Sequence, residues 1–81
     1  MTGRARSPDV REYTVIIERD GDGYSAHFPD APGCFTQGDT LDDVRANARE
    51  ALELYFQVLR EKGEPIPLPN AVTEKIKVKA S

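Results

Sequence analysis

The stretch from residue 28 to residue 40 constrains the fold more than any other, because it cannot continue a long strand or helix. Pro29 and Pro32 lack a backbone N–H and hold φ near one value, whereas Gly33 can adopt positive φ without a Cβ clash. The chain must therefore turn sharply here and has room for only a short strand before the next element. The residues that we expect to shape this corner and the end of the following helix are Phe28, Pro29, Pro32, Gly33, Gly38, Thr40 and Gly63.

Four segments have the pattern of strands, three before the helix and one after it. Residues 13–18 are rich in aromatic and β-branched residues, and in residues 24–28 apolar side chains alternate with polar ones. Between these two segments, a pair of Asp-Gly dipeptides supplies what a tight hairpin requires. Residues 34–37 predict a short third strand. Residues 72–78 alternate apolar residues with lysines, which predicts a fourth strand at the edge of a sheet.

One long helix follows the corner. Apolar residues recur at three- and four-residue steps from Leu41 to Leu59. Thr40 is suited to accept a hydrogen bond from a first-turn amide, and Asp43 completes a slightly irregular capping box. Gly63 is the glycine expected just past the end of a helix, so the helix should close there.

The element order β-β-β-α-β predicts an α+β fold of two layers. If the first three strands form an antiparallel meander, a right-handed helical crossover delivers the fourth strand beside the first. We therefore expect a four-stranded mixed sheet of order 3-2-1-4, with one long helix on one face. The opposite face stays uncovered, which makes Ile16 and Phe35 candidates for an interface.

Length, charge and cysteine content narrow the class of protein. A chain of 81 residues has room for one domain, which we place at residues 13–79 after a flexible basic tail at residues 1–12. The 14 acidic and 11 basic residues favour a basic partner over nucleic acid. The single cysteine, with no signal-peptide core and no apolar run that could span a bilayer, predicts a protein of the reducing cytoplasm. So small a domain is expected to gain stability as a homodimer or homotetramer, or from another partner.

The candidate chemical groups do not predict a catalytic or metal site, and no cofactor is expected. The acids lie where turns and a helix start need them, although a metal-dependent nuclease that uses Asp20 and Asp22 stays open as a less favoured alternative. His27, the single histidine, is interpreted as a surface residue of a strand. Cys34 is interpreted as a small apolar core residue.

One run of the chain matches a known family pattern: Tyr24-x-x-x-Phe28-Pro29-Asp30-x-Pro32-Gly33-Cys34-x-Thr36-x-Gly38-Asp39-Thr40. Together with the amphipathic helix and the proline-rich exit, it resembles the HicB-type antitoxin family over nearly the whole chain. The resemblance implies a partial RNase H-like fold, no enzymatic activity, and a small HicA-type, mRNA-cleaving toxin as partner. Many family members carry a DNA-binding segment after this module. Because no such pattern follows residue 78, we expect no direct DNA binding by this chain.

These observations together predict a binding protein. The module would pack against the toxin and keep RNA from its catalytic surface. Ile16 and Phe35 would serve as apolar anchors, and Asp30, Asp39 and Asp42 would pair with basic groups of the toxin at the rim. An orphan homo-oligomeric module that binds some other protein is the alternative that the sequence leaves open.

Overall fold

A computed structural model describes residues 10–81 of the chain. Three strands, β1 (Ile16–Asp20), β2 (Gly23–His27) and β3 (Phe35–Gly38), precede one helix, α1 (Leu41–Glu61). The strands form an antiparallel sheet in the order β1-β2-β3, and α1 packs on one face of it, mainly over β3 and β2. The predicted α+β class, with one long helix on one face of a sheet, is confirmed.

The hairpin between β1 and β2 has a two-residue loop, the commonest short connection of a hairpin. Asp20 pairs with Gly23, so that only Gly21 and Asp22 form the loop. Gly21 has a φ of 61°, while Asp22 stays at negative φ, as in a type II′ turn. Of the two predicted Asp-Gly pairs, only the first therefore supplies a positive-φ residue.

The strand register sorts the side chains into rows that cross the sheet. Ile17, Ala26 and Thr36 lie opposite one another on β1, β2 and β3. Ala26 is buried in the core, so this row faces α1. Because side chains alternate along a strand, the neighbouring row, which begins with Ile16, faces away from the helix.

The corner consists of two consecutive turns. The amide of Ala31 donates to the carbonyl oxygen of Phe28 at 3.1 Å, and the amide of Cys34 donates to that of Ala31 at 3.0 Å. Pro32 and Gly33 are the central residues of the second turn, and the φ of 88° at Gly33 is what a type II turn requires. Phe28, Ala31 and Cys34 are buried, so the corner is part of the core.

Both ends of α1 are capped as the sequence predicts. The hydroxyl of Thr40 accepts a hydrogen bond from the amide of Asp43 at 3.0 Å. At the other end, Gly63 has a φ of 72°, and the amide of Glu64 donates to the carbonyl oxygen of Leu59 at 2.9 Å, as in a Schellman motif. The helix is therefore fixed in length by local interactions.

A small apolar core lies between the sheet, the corner and α1. Gly38 allows β3 and the start of α1 to approach closely, because a Cβ at this position would lie 2.5 Å from the backbone nitrogen of Val44. The buried side chains are Ala26, Phe28, Ala31, Cys34, Val44, Ala48 and Leu52.

After α1 the chain returns to the residues that precede β1 and to the corner. The hydroxyl of Tyr13 donates to the carbonyl oxygen of Pro67 at 2.6 Å. Further on, the carboxylate of Asp30 accepts a hydrogen bond from the amide of Ala71 at 3.1 Å. The proline-rich exit thus carries the chain back across the domain as predicted.

The predicted fourth strand is not observed: residues 10–81 contain a three-stranded sheet, so the order 3-2-1-4 is corrected to β1-β2-β3. Val72, Ile76 and Val78 lie in the predicted segment and are 82%, 80% and 77% exposed. A strand requires the backbone groups of a neighbouring strand, and residues 72–78 pair with none from residue 10 onward. The first predicted strand also differs, since β1 begins at Ile16 and not at residue 13.

The predicted basic tail and the predicted domain boundaries are not tested by the described residues. Residues 1–9 of the predicted basic tail lie outside the described residues, and the domain boundaries at 13 and 79 stay a prediction. In the part of the chain from residue 10 onward, no helix has both the length and the apolar character needed to cross a bilayer.

Candidate protein-binding surface

The sheet face that points away from α1 carries an exposed apolar row. Ile16 lies opposite His27, and His27 lies opposite Phe35. Neighbouring strands are about 4.8 Å apart, so this row spans about 10 Å. Phe35 is 71% exposed and Ile16 is 37% exposed. We call these three residues the open-face row; an exposed aromatic ring of this kind is a typical anchor of a protein interface.

The same face becomes polar and then acidic toward the hairpin. Glu18, Ser25 and Gln37 form the next row, and Asp20 follows at the end of β1. Asp20 lies four residue steps along β1 from Ile16, a distance of about 13 Å. The open face therefore passes from an apolar end at the corner to a negatively charged end at the hairpin.

An open groove of about 580 Å³ lies at the hairpin end and continues this acidic character. The hairpin, the end of β3 and the start of α1 contribute its carboxylates, and Gln37 and Asn47 add amide groups. Within residues 10–81, no group of three or more His, Cys, Asp or Glu side chains is arranged to hold a metal ion. The acidic residues that line the groove are Asp20, Asp22, Asp39 and Asp43.

The three predicted rim acids lie in different settings. Asp39 lines the acidic groove. Asp42 is exposed on the first turn of α1, where its Oδ1 accepts a hydrogen bond from Nη1 of Arg45 at 3.2 Å. Asp30 lies at the corner, where its carboxylate holds the amide of Ala71. The structure thus places Asp39 in the acidic groove at the hairpin end and gives Asp30 an internal contact.

His27 belongs to the open-face row, although the sequence argument did not assign it to the surface that binds a partner. The signal was available, because the alternation in residues 24–28 places His27 on the face opposite Ala26. An imidazole between Ile16 and Phe35 provides two ring nitrogens that can form hydrogen bonds within an otherwise apolar row. The row can therefore select an orientation of its partner as well as bury apolar area.

Cys34 is a core residue, as the sequence predicts. Its side chain is buried at the corner beside Phe28 and Ala31. Burial in apolar surroundings raises the pKa of the Cys34 thiol, because desolvation disfavours the thiolate. The thiol therefore stays protonated near neutral pH and is a poor nucleophile.

The fold and this surface define a class of protein. Within residues 10–81 a single helix covers one face of a small sheet, and the other face presents an apolar row with an acidic border. Such a chain is a small α+β domain with a surface suited to contact with another macromolecule.

Comparisons with known proteins identify the family. Residues 13–80 match the profile described as the HicB-like antitoxin of bacterial toxin-antitoxin systems. A UPF0150 protein of Thermoplasma acidophilum is 46% identical over 85% of this chain and 99% of its own length. Antitoxin HicB 1 of Photorhabdus laumondii is 41% identical over 74% of this chain, which spans 39% of that antitoxin. The chain likewise spans 48% of a related protein of Haemophilus phage HP1.

A solved structure agrees with this result. One chain of the HicA3 and HicB3 toxin-antitoxin complex matches with a TM-score of 0.66 and 35% sequence identity, over 74% of this chain and 70% of that chain. The chain belongs to the HicB-like antitoxin family.

Proposed function

We propose that this chain is a non-enzymatic antitoxin module, which binds a HicA-type toxin and neutralises it by covering its RNA-binding surface. The observation that carries the proposal is the open-face row: Ile16, His27 and Phe35 lie side by side on a face that no helix or strand within residues 10–81 covers. Removing such a row from water stabilises a complex, since apolar burial contributes about 25 cal/mol per Å². The resemblance to a chain of a toxin-antitoxin complex supports a toxin as the partner.

The acidic end of the open face gives the proposed contact its chemical specificity. A toxin that cleaves RNA needs basic groups to hold phosphates. Glu18 and Asp20 on the open face, with Asp39 and Asp42 beyond them, would pair with those basic groups at the rim of the contact. The carboxylates would then occupy the positions on the toxin that RNA phosphates require, so that RNA could not bind.

Asp30 has a different part in the proposal. Its carboxylate already accepts from the amide of Ala71, so we assign it to holding the carboxyl-terminal segment. The affinity for the toxin would depend on the open-face row and on the acids nearer the hairpin. The proposed site of action is the cytoplasm, where the RNA substrate of the toxin is found.

The proposal is tested by titration of RNA cleavage. The toxin encoded beside the gene for this chain is mixed with labelled RNA and with increasing amounts of the antitoxin. We expect cleavage to stop near equal molar amounts of the two proteins. Unchanged cleavage at saturating antitoxin would refute the proposal. Leu54→Ala is a matched control, because Leu54 is 58% exposed on α1, outside the open face.

A further inference from the structure

The last residues of the chain have the sequence pattern of a β-strand, but they have no neighbouring strand to pair with in the described residues. In residues 72–78, which we call the tail segment, strand alternation places Val72, Ile76 and Val78 on one side together with Glu74, and the lysines on the other. Val72, Ile76 and Val78 are each at least 77% exposed. The Cα radius of gyration of 16.2 Å exceeds the roughly 12 Å of a compact chain of this length, as expected for a domain from which a segment projects. The tail segment therefore carries apolar groups that a single copy of the chain leaves in water.

The free edge of β1 is the place in the fold that can accept a strand. In the described chain β1 pairs with β2 only, so its outer backbone N–H and C=O groups have no ladder partner. The other edge, β3, is shorter, and the side chain of Asn47 already donates to the carbonyl oxygen of Gln37 there at 2.8 Å. The open face of β1 carries Glu18, whereas that of β3 carries the uncharged Phe35 and Gln37. Lysines of an added strand thus find opposite charge beside β1.

One antiparallel register matches β1 and the tail segment in polarity and charge. With Ile76 opposite Ile17, Lys75 lies opposite Glu18. In the same register, Glu74 lies opposite Arg19. Val78 would extend the apolar side toward Val15, which already packs against the core. Opposite charges would therefore meet at two successive positions, one on each face of the sheet. Ile76 and Val78 would meet apolar residues on the helix side, whereas Lys77 would lie beside Ile16 on the open face.

The same chain cannot supply this antiparallel strand to itself. Ala71 is held by Asp30 and lies within 3.5 Å of the hydroxyl of Thr14, which is just before β1. A tail segment that continued along its own β1 would run parallel to it from this point. With Ala71 beside Thr14, that alignment would set the carboxylate of Glu74 against Ile17 on the core side, and burial of an unpaired charge is unfavourable.

We propose that two copies of this chain exchange their tail segments, so that residues 72–78 of each copy add antiparallel to β1 of the other. Each sheet then has four strands, with the fourth supplied by the partner copy. The exchange forms a closed two-fold dimer, because the same edge and the same segment are used in both directions. This inference does not depend on the identity of the toxin, so its failure and that of the proposed function are distinguishable.

The first test is the mass of the full-length protein in solution. Sedimentation equilibrium of the wild type should show a dimer at micromolar concentration. Ile76→Asp should give a folded monomer, because Ile76 is exposed in the single copy and would meet Ile17 only across the dimer. The matched control, Leu68→Asp, changes a residue that is 60% exposed outside the tail segment and should leave the dimer intact. A monomeric wild type, or a dimer that survives Ile76→Asp, would overturn the inference.

The second test exchanges charge between copies. Lys75→Glu or Glu18→Lys alone creates like charges at both contacts of the dimer, which should weaken association by about tenfold or more. In an equimolar mixture of the two variants, a heterodimer has opposite charges at both contacts. Native mass spectrometry should therefore show the heterodimer in excess of either homodimer. A statistical mixture of the three species would refute the proposed register.

Discussion

Replacement of Phe35 by alanine tests the open-face row most directly. Phe35 is 71% exposed in the single chain. An aromatic side chain of about 200 Å² therefore offers about 140 Å², of which alanine would retain a minor part. Loss of about 100 Å² of apolar burial corresponds to about 2.5 kcal/mol in binding, or about a 60-fold weaker complex with the toxin. Folding should change little, since the ring is mostly exposed and lies on the sheet face that points away from the core.

The measurement is isothermal titration calorimetry of the toxin with the wild type, Phe35→Ala and Leu54→Ala. Leu54 is a fair control because it is also an exposed large apolar residue but lies on α1. We expect Leu54→Ala to bind within about twofold of the wild type. Circular dichroism and urea unfolding check that each variant is folded. Equal affinities for Phe35→Ala and Leu54→Ala would refute the assignment of the open-face row to toxin binding.

The remaining predictions concern the fold that positions this surface. Gly38→Ala should lower the free energy of unfolding by about 2–3 kcal/mol, since the added Cβ would clash with the backbone of Val44. Gly63→Ala should lower it by about 1 kcal/mol, because only the positive φ is unfavourable for alanine there. Urea unfolding measures both values, and a larger loss for Gly63→Ala would contradict this prediction. Thr40→Ala should remove the hydrogen bond to the first turn of α1 and cost about 1 kcal/mol, a fall in Tm of about 4–8 °C that calorimetry can detect. Because burial raises the pKa of the Cys34 thiol, that thiol should react with a disulfide reagent far more slowly in the native protein than in urea. The folded protein keeps the Cys34 thiol protonated at pH values above the ordinary thiol pKa, whereas the unfolded chain loses that proton. The free energy of unfolding should therefore be constant below the ordinary thiol pKa and should decline as the pH rises past it. A pH-independent unfolding midpoint between pH 8 and 10 would argue against this.

Most of the local structure could be predicted because it depends on local chemistry. The turn at Pro32 and Gly33, the cap at Thr40 and the helix end at Gly63 each need only neighbouring residues, and the structure confirms them. Alternation along the strands also predicted that Ile16 and Phe35 would face away from the helix. Their adjacency across His27 was not predictable, since it depends on a register that two turns set.

Contacts between distant parts of the chain limited what the sequence could predict. The carboxylate of Asp30, whose role at a partner interface stays a prediction, accepts a hydrogen bond from the amide of Ala71, 41 positions away. The fourth strand was expected beside β1, because residues 72–78 have the required alternation. A sequence pattern specifies which structure a segment can form but not which sheet edge it pairs with. In the described part of the chain, the tail segment pairs with no sheet edge.

The sequence by itself determined the order of three strands and one helix, the sharp corner before the helix, and the family to which the chain belongs. Only the tertiary structure decided which side chains share the uncovered face and where the chain is led after the helix. The physical reason is the separation along the chain of the residues that interact. Turns, caps and alternation arise from interactions over a few residues, whereas register, edge pairing and exposure depend on the packing of segments far apart in the chain.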